Sequence, residues 1–597
     1  MARPERLIVC GLELALLALL AASCTKLESA NDRFNLEGGS GGSSHSGSGG
    51  SSAATPSGGN TARGGSGQGG ASAGSGGLSV DSSAGSGAGE AGSGGSAGSG
   101  DPCVDESGFQ GLGCYTCEPR DIVSFENACS NVTCTPFGNS QRLPQLAANG
   151  ELPALPAISA GMGGSSGTGG SAGAPNTGGS AGSGGGSAGS GGGSAGNGGG
   201  SATGVACTSL AKVSELVFLT GSSAAKPYLQ QVAQQLAAQG VYLIYTSTGS
   251  CVGVDAILNG TPMTSGSAPA PAVTATYWDS AASTGKPCDL PSAGVNADLG
   301  ISDVFAQTCP GFELANPDAL SVRDAHGPIQ TMAFVVPSNS KQFEISAQAA
   351  YLAFGFGKDA GILDANGGGP IWNDETLLFQ RSASSGTQAL LGAAIGVPPA
   401  RFKGKPHKTS DEVAASLQNA TASAADADKA LGILAADYLV SNPLLQIRPL
   451  AFQDSKQVCA VYPDSGEKTR DKRNVRDGHY PLWGPLHLLY RVDSAGNPLN
   501  PANRQRVLDI VGYLAGSKTL PNGVSLLDVY AQNGLVPECA MRVTRTKDGG
   551  NLLPFRPAAP CGCSFERRAT GSTQCTPCTV QGECQPGETC SLGYCEH

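Results

Sequence analysis

Three times in the middle of this chain a short apolar strand runs into a turn of small residues and then into a helix, and that repeated order restricts the fold more than any other feature. In "ELVFLTGSSAAKPYLQQVAQQLAAQG" the pattern predicts a strand from Leu216 to Leu219 and a turn at Thr220-Gly221-Ser222-Ser223. A helix follows with Leu229, Val232, Ala233 and Leu236 on one face, and Gly240 stops it. "VYLIYTSTGSCVGVDAIL" repeats the order, with a strand from Val241 to Tyr245 and Gly249-Ser250 at the helix start. "LLFQRSASSGTQALLGAAIG" repeats it again around Arg381 to Gln388. Strands alternating with helices predict an α/β fold. Each unit also sets unpaired backbone N–H groups and hydroxyls at a helix start, where the helix carries about half a positive charge. One such turn is ordinary capping. Three of them, with a fixed guanidinium and a further apolar segment ending in "GISD" (Gly300 to Asp303), point to an oxyanion gathered by several helix starts.

The ends of the chain read differently. Arg3 and Arg6 precede an apolar run from Leu7 to Ala22 that is too short to span a bilayer comfortably, which predicts a secretory signal over 1–23. The small residues leading into Cys24 resemble the lipobox of bacterial lipoproteins, which implies that Cys24 is diacylated and anchors the mature chain to a membrane; Glu13 inside the apolar run departs from that pattern. From Gly38 to Gly100 and from Gly161 to Gly204 the chain is nearly all Gly, Ser and Ala, with too little apolar surface to offset the entropy of ordering. These tracts read as tethers, the first spanning roughly 45 Å between its ends. They divide the chain into a lipid anchor and linker (24–102), a small Cys-rich module (103–160), a second linker (161–204), a large domain (205–545) and a Cys-rich tail (546–597). The formal charge of -11 is spread thinly and argues against a nucleic-acid partner.

Of 20 cysteines, Cys10 and Cys24 belong to the export segment; five lie between Cys103 and Cys134, six between Cys207 and Cys539, seven between Cys561 and Cys595. The odd counts in the first and last groups mean either a disulfide that crosses between regions or a free thiol in each. The closely spaced tail, "CTPCTVQGECQPGETCSLGYC", could suit zinc in a reducing compartment, and behind an export signal reads as disulfides.

With the strand–turn–helix units in place, the words "TGSS", "GSCVGV", "GISD" and "RSASSGT" and their order resemble the periplasmic phosphate-binding proteins of ABC importers, from about Leu216 to about Val543. "IWND", "KALGILAADYL" and "YPLWGPLHLLYRV" add weaker matches. The resemblance implies a two-lobed α/β clamp of the type 2 periplasmic binding proteins. One lobe would run over about 207–325 and 479–543, the other over 326–478. It implies phosphate or a related tetrahedral oxyanion as ligand, an ABC permease as partner, and no cofactor. Its ligand contacts fall on Ser250, Asp303, Arg381, Ser385, Gly386 and Thr387, with Arg381 facing the cleft. Where the family has a Thr-Phe-Pro loop this chain has Ala225-Lys226-Pro227, so Ser222 or Ser223 is the substitute hydroxyl, and Lys226 either adds charge or faces solvent. Where the family pairs the arginine with an aspartate two residues on, this chain has Ala383.

An enzyme is not expected. There is no nucleophile elbow, and His45, His326, His407, His479, His487 and His597 are scattered with no pair at metal spacing, so no metal is expected either. The expectation is an extracytoplasmic, membrane-anchored solute-binding lipoprotein. The alternative is a surface-tethered sensor, scavenger or adhesion protein on a degenerate binding-protein fold.

Overall fold

The first strand of the fold, β1 (Leu216–Gly221), is buried along its whole length and feeds α1 (Lys226–Ala237), whose Leu229, Val232, Ala233 and Leu236 all face the interior as the spacing predicts. This computed structural model describes residues 114–130, 135–147, 149–157, 205–264, 274–281 and 284–596, apart from 366 and 368. The expected signal, Cys24, both Gly/Ser tracts, Cys103 and Cys134 lie outside the described residues. The second predicted unit is β2 (Tyr242–Ser247) and α2 (Ser250–Leu258). After β3 (Ala275–Tyr277) and β4 (Lys286–Cys288), β5 (Leu299–Ser302) ends in the GISD turn. β6 (Val322–Pro337) is 16 residues long and is followed by α3 (Ala347–Phe356). The third predicted unit is β7 (Leu378–Arg381) and α4 (Gly386–Ile395). Next come β8 (Lys405–His407), α5 (Ser410–Ala420), β9 (Leu431–Ala435), α6 (Ala436–Ser441) and β10 (Ile447–Pro449). β11 (Trp483–Arg491), α7 (Arg504–Leu514), α8 (Leu526–Asn533) and α9 (Gly562–Thr570) follow.

The strands lie in the order β4-β3-β2-β1-β5-β11-β6-β9-β7-β8, with β10 also on β6. At one end β1 runs parallel to β2 and β5; at the other β7 runs parallel to β8 and β9. Parallel strands need covering on both faces, and the unbroken burial of β1 and β9 reflects it. Between these halves the chain crosses out along β6, which starts beside β11 (Val322 opposite Arg491) and ends beside β9 and β10 (Val335 opposite Gly432, Pro337 opposite Ile447). It returns along β11, antiparallel to both β6 and β5. Two α/β lobes joined by two long antiparallel crossings make the α/β two-lobed clamp that the resemblance implies.

Each lobe has its own apolar layer. Val217, Leu219, Leu229, Val232 and Leu243 pack with Val507, Ile510, Leu514 and Tyr530 in the first; Ala333, Val335 and Phe379 pack with Val413 and Leu417 in the second. A larger cluster joins Val254 and Ile257 of α2 to Leu352 and Phe354 of α3 and Leu390 of α4, so the lobes share buried surface as well as strands.

The cysteines pair as Cys114–Cys129, Cys207–Cys288, Cys251–Cys309, Cys539–Cys561, Cys563–Cys575, Cys578–Cys590 and Cys584–Cys595, and Cys117 and Cys459 are also disulfide-bonded. Cys539–Cys561 crosses from the large domain into the tail, which explains the odd count there. The end segments pack onto the domain. Phe137 stacks with Trp372 at 6.4 Å and Arg142 pairs with Glu344 at 2.9 Å, while Arg568 of α9 pairs with Asp528 of α8 at 2.9 Å.

Candidate functional site

Two helix starts from opposite lobes meet face to face. Gly249, just before α2, has φ 113°, and a Cβ there would come within 2.9 Å of the Ser384 carbonyl oxygen, so both conformation and space require glycine. The Cys251 N–H donates to that same carbonyl at 3.1 Å, a bond from one lobe to the other. On the facing side, a Cβ on Gly386 would lie 2.3 Å from Ser250 Oγ and 2.9 Å from Asp303 Cβ. Small residues at these turns are therefore what allows α2, α4 and the GISD turn to converge.

The convergence buries the side chains that the sequence singles out. Ser250, Asp303, Arg381, Ser385 and Thr387 are each at most 3% exposed. Ser250 Oγ donates to Asp303 Oδ2 at 3.0 Å and lies 3.3 Å from the Asp303 N–H. Arg381 donates through Nη1 to Ser410 Oγ at 2.9 Å, and through Nη2 to Ser223 Oγ and the Lys408 carbonyl, both at 2.9 Å. Ser223 sits in the turn before α1 and Ser410 opens α5, so the guanidinium ties the lobes together.

Burial dominates the electrostatics. It lowers the Arg381 pKa to about 10, against the opposing pull of Asp303, Glu412, Asp411 and Tyr438, which leaves the side chain a cation at neutral pH. It raises the Asp303 carboxyl above its ordinary range, opposed by the nearby Ser222 and Ser250 hydroxyls and by the charges of Arg381 and His487. Asp437 at the start of α6 is pushed up to about 7 by burial, with Gln330 Nε2 donating to Oδ2 at 3.1 Å. Within this closed group Asp303 Oδ1, Arg381 Nε and Thr387 Oγ1 are buried without a hydrogen-bond partner.

The remaining expected positions fall nearby with different roles. Ala225 is buried, and its N–H, like that of Ala224, is given to Ser222 Oγ at 3.3 and 3.1 Å. Lys226 is exposed on the first turn of α1, the solvent-facing one of the two alternatives. Ser223 supplies a hydroxyl, but it meets Arg381. Ser410, the Lys408 carbonyl and Asp437 escape the sequence reading. The first two had a signal in "KTSDE", where Thr409 caps α5 by accepting from the Glu412 N–H at 3.2 Å. Asp437 had none.

No family model matches this chain, and no curated protein matches it. Solved structures do. An ABC-type phosphate transport receptor from Vibrio cholerae matches at 13% identity, covering 54% of this chain and 99% of that one, with a TM-score of 0.33. PstS from Borrelia burgdorferi matches at 13% identity over 54% of this chain and 98% of that one, TM-score 0.29. The CcmR regulatory domain from Synechocystis, in complex with 2-PG, matches at 9% identity over 51% of this chain and 98% of that one, TM-score 0.28. The strand order and paired crossings described above make the chain an α/β two-lobed clamp. The chain is similar to phosphate-binding proteins of ABC importers, the family that the four sequence words resemble.

Proposed function

We propose that this protein is an extracytoplasmic solute-binding protein that closes its lobes on phosphate or a related tetrahedral oxyanion, held to a membrane by lipid at Cys24 and delivering its ligand to an ABC permease. The observation that carries the reading is the set of three buried, unpartnered polar atoms at the lobe junction: Arg381 Nε, Thr387 Oγ1 and Asp303 Oδ1. Buried polar atoms are normally satisfied, and leaving them unpaired costs about 1–3 kcal/mol each. A protonated tetrahedral anion satisfies all three: it accepts from the guanidinium and the hydroxyl and gives its own O–H to the carboxylate. Ser250, Ser385 and the first N–H groups of α4 at Gly386 complete the proposed contacts. Ala225 and Lys226 are left out of this set, one already bonded within its turn and the other in solvent.

A second reading has a specific observation of its own. The Arg381 Nη atoms already serve Ser223, Ser410 and Lys408, as expected if the pocket of a degenerate clamp had closed on itself in a sensor, scavenger or adhesion protein. Calorimetric titration of the disulfide-intact protein with phosphate, arsenate, sulfate and a phosphate monoester separates the two. Saturable binding of phosphate supports the first reading, and absence of heat with all four establishes the second.

A further inference from the structure

The two crossing strands carry a second cluster, which the scattered histidines of the sequence do not foretell. Side chains alternate along a strand, so Asp324 and His326 stand on the same face of β6. His487 of β11 is the register partner of His326, and Leu489 that of Asp324, which brings both imidazoles and the carboxylate to one side of the ladder. One ligand atom from each of the three lies within 4.8 Å of the others, although Asp324 and His487 are 163 residues apart in sequence. His487 Nδ1 faces the Asp324 carboxylate at 2.8 and 3.0 Å, and the two imidazole centroids are 4.9 Å apart. The Phe305 ring packs edge-on against both, 4.4 Å from His487 and 6.0 Å from His326, and walls one side with hydrocarbon.

The His487 side chain is wholly buried, so its Nδ1 meets the Asp324 carboxylate away from bulk water. A metal that replaces the proton between them takes Nδ1 and a carboxylate oxygen as ligands and leaves the imidazole proton on Nε2, which has no hydrogen-bond partner. His326 by contrast is exposed and gives an ion a way in.

We propose that Asp324, His326 and His487 form a divalent transition-metal site of the zinc type, clasping the two strands that cross between the lobes. Two imidazoles and one carboxylate select zinc, cobalt or nickel over magnesium and calcium, and they leave a fourth position for water. Bonds of about 2.0–2.2 Å place tetrahedral ligand atoms roughly 3.3–3.6 Å apart, so from separations of up to 4.8 Å the cluster contracts by up to about 1.2–1.5 Å, within reach of rotation of the exposed His326. The inference does not rest on the oxyanion reading, since its three ligands lie on the crossing strands and none of them is a proposed oxyanion contact.

The test uses the full, disulfide-intact chain, stripped with a chelator and then titrated with Zn²⁺ by calorimetry and with Co²⁺ by visible absorption. One equivalent should bind with Kd of about 1 µM or tighter, and Co²⁺ should give the intense bands of a four-coordinate site. His326→Ala, a surface change, should weaken Zn²⁺ binding at least about tenfold and abolish those bands. Absence of a saturable single equivalent, or wild-type affinity in both His326→Ala and Asp324→Asn, overturns the proposal. Phosphate titration of the same proteins reports on the oxyanion site independently, so either reading can fail without the other.

Discussion

Asp303→Asn tests the proposed ligand at the atom where phosphate and sulfate differ. Asp303 is 2% exposed, takes the Ser250 hydroxyl on Oδ2 and keeps Oδ1 unpartnered. An ionised carboxylate only accepts hydrogen bonds, so it favours an anion that brings a proton and opposes one that does not. Phosphate near neutral pH brings at least one O–H; sulfate brings none. A hydrogen bond to a charged group contributes about 1.5–3 kcal/mol, which corresponds to a preference for phosphate of roughly ten- to over a hundredfold. Asparagine removes the charge and adds an N–H donor, so it should lose most of that factor for phosphate and gain affinity for sulfate. The assay is calorimetric titration of wild type and Asp303→Asn with both anions at pH 7.5. The expected result is a wild-type phosphate-to-sulfate ratio of at least about ten, reduced by about the same factor in the variant. Equal affinity of the unmutated protein for the two anions would refute the reasoning, since Asp303 would then not be reading a proton.

Three further outcomes follow from the same geometry. Arg381→Ala removes the link between Ser223 and Ser410 as well as Nε, so it should weaken phosphate binding by roughly ten- to a hundredfold and also lower the melting temperature; binding at wild-type affinity would remove Arg381 from the site. Gly386→Ala drives a methyl to within 2.3 Å of Ser250 Oγ and should cost about 1–3 kcal/mol in a urea melt, and an unchanged midpoint would mean that α2 and α4 do not meet as described. Asp437 has a folded-state pKa of about 7, above its ordinary value, so its contribution to stability is present at low pH and is lost as pH rises from about 4 through 7. Asp437→Asn keeps an acceptor for Gln330 and cannot ionise, so its stability relative to wild type should rise between pH 4 and pH 8 by an amount on the order of a few kcal/mol, and a pH-independent difference would count against the shift.

What could be read from the sequence was whatever depended on local order. The three strand–turn–helix units appear in the predicted order, the first with its helix face buried as predicted, because periodicity and small-residue turns act within a few residues of one another. The convergence of Ser250, Asp303 and Arg381 came through the family resemblance, since nothing in their spacing brings them together. The partners of Arg381 were less accessible: Ser223 lies 158 residues away and meets the guanidinium only through the tertiary fold. The His326–His487 pair shows the limit most clearly. Its members are unremarkable in sequence and become neighbours through the register of two strands far apart in the chain. The Cys539–Cys561 crossing was signalled only as an odd count, because parity constrains pairing without naming partners.

The partners of Arg381 decide how its charge survives burial. Position 383 is alanine, so no carboxylate two residues on neutralises the arginine, and hydroxyls at Ser223 and Ser410 take up its Nη donors. A hydroxyl satisfies hydrogen bonds without cancelling charge, so the guanidinium remains a cation among groups that are at most 3% exposed, with Asp303 as its leading electrostatic partner. On the proposed reading an entering oxyanion competes with neutral partners: Ser223 for Nη2, and the Ser384 carbonyl for the Cys251 N–H. A guanidinium–oxyanion bond joins opposite charges where Ser223 offers only a neutral acceptor, so that exchange favours the anion while the neutral partners hold the lobes in register for it. An aspartate at position 383 would reverse the balance by offering the arginine a permanent charged partner. The two serines and Ala383 therefore act together, so that one guanidinium ties the lobes and keeps its positive charge.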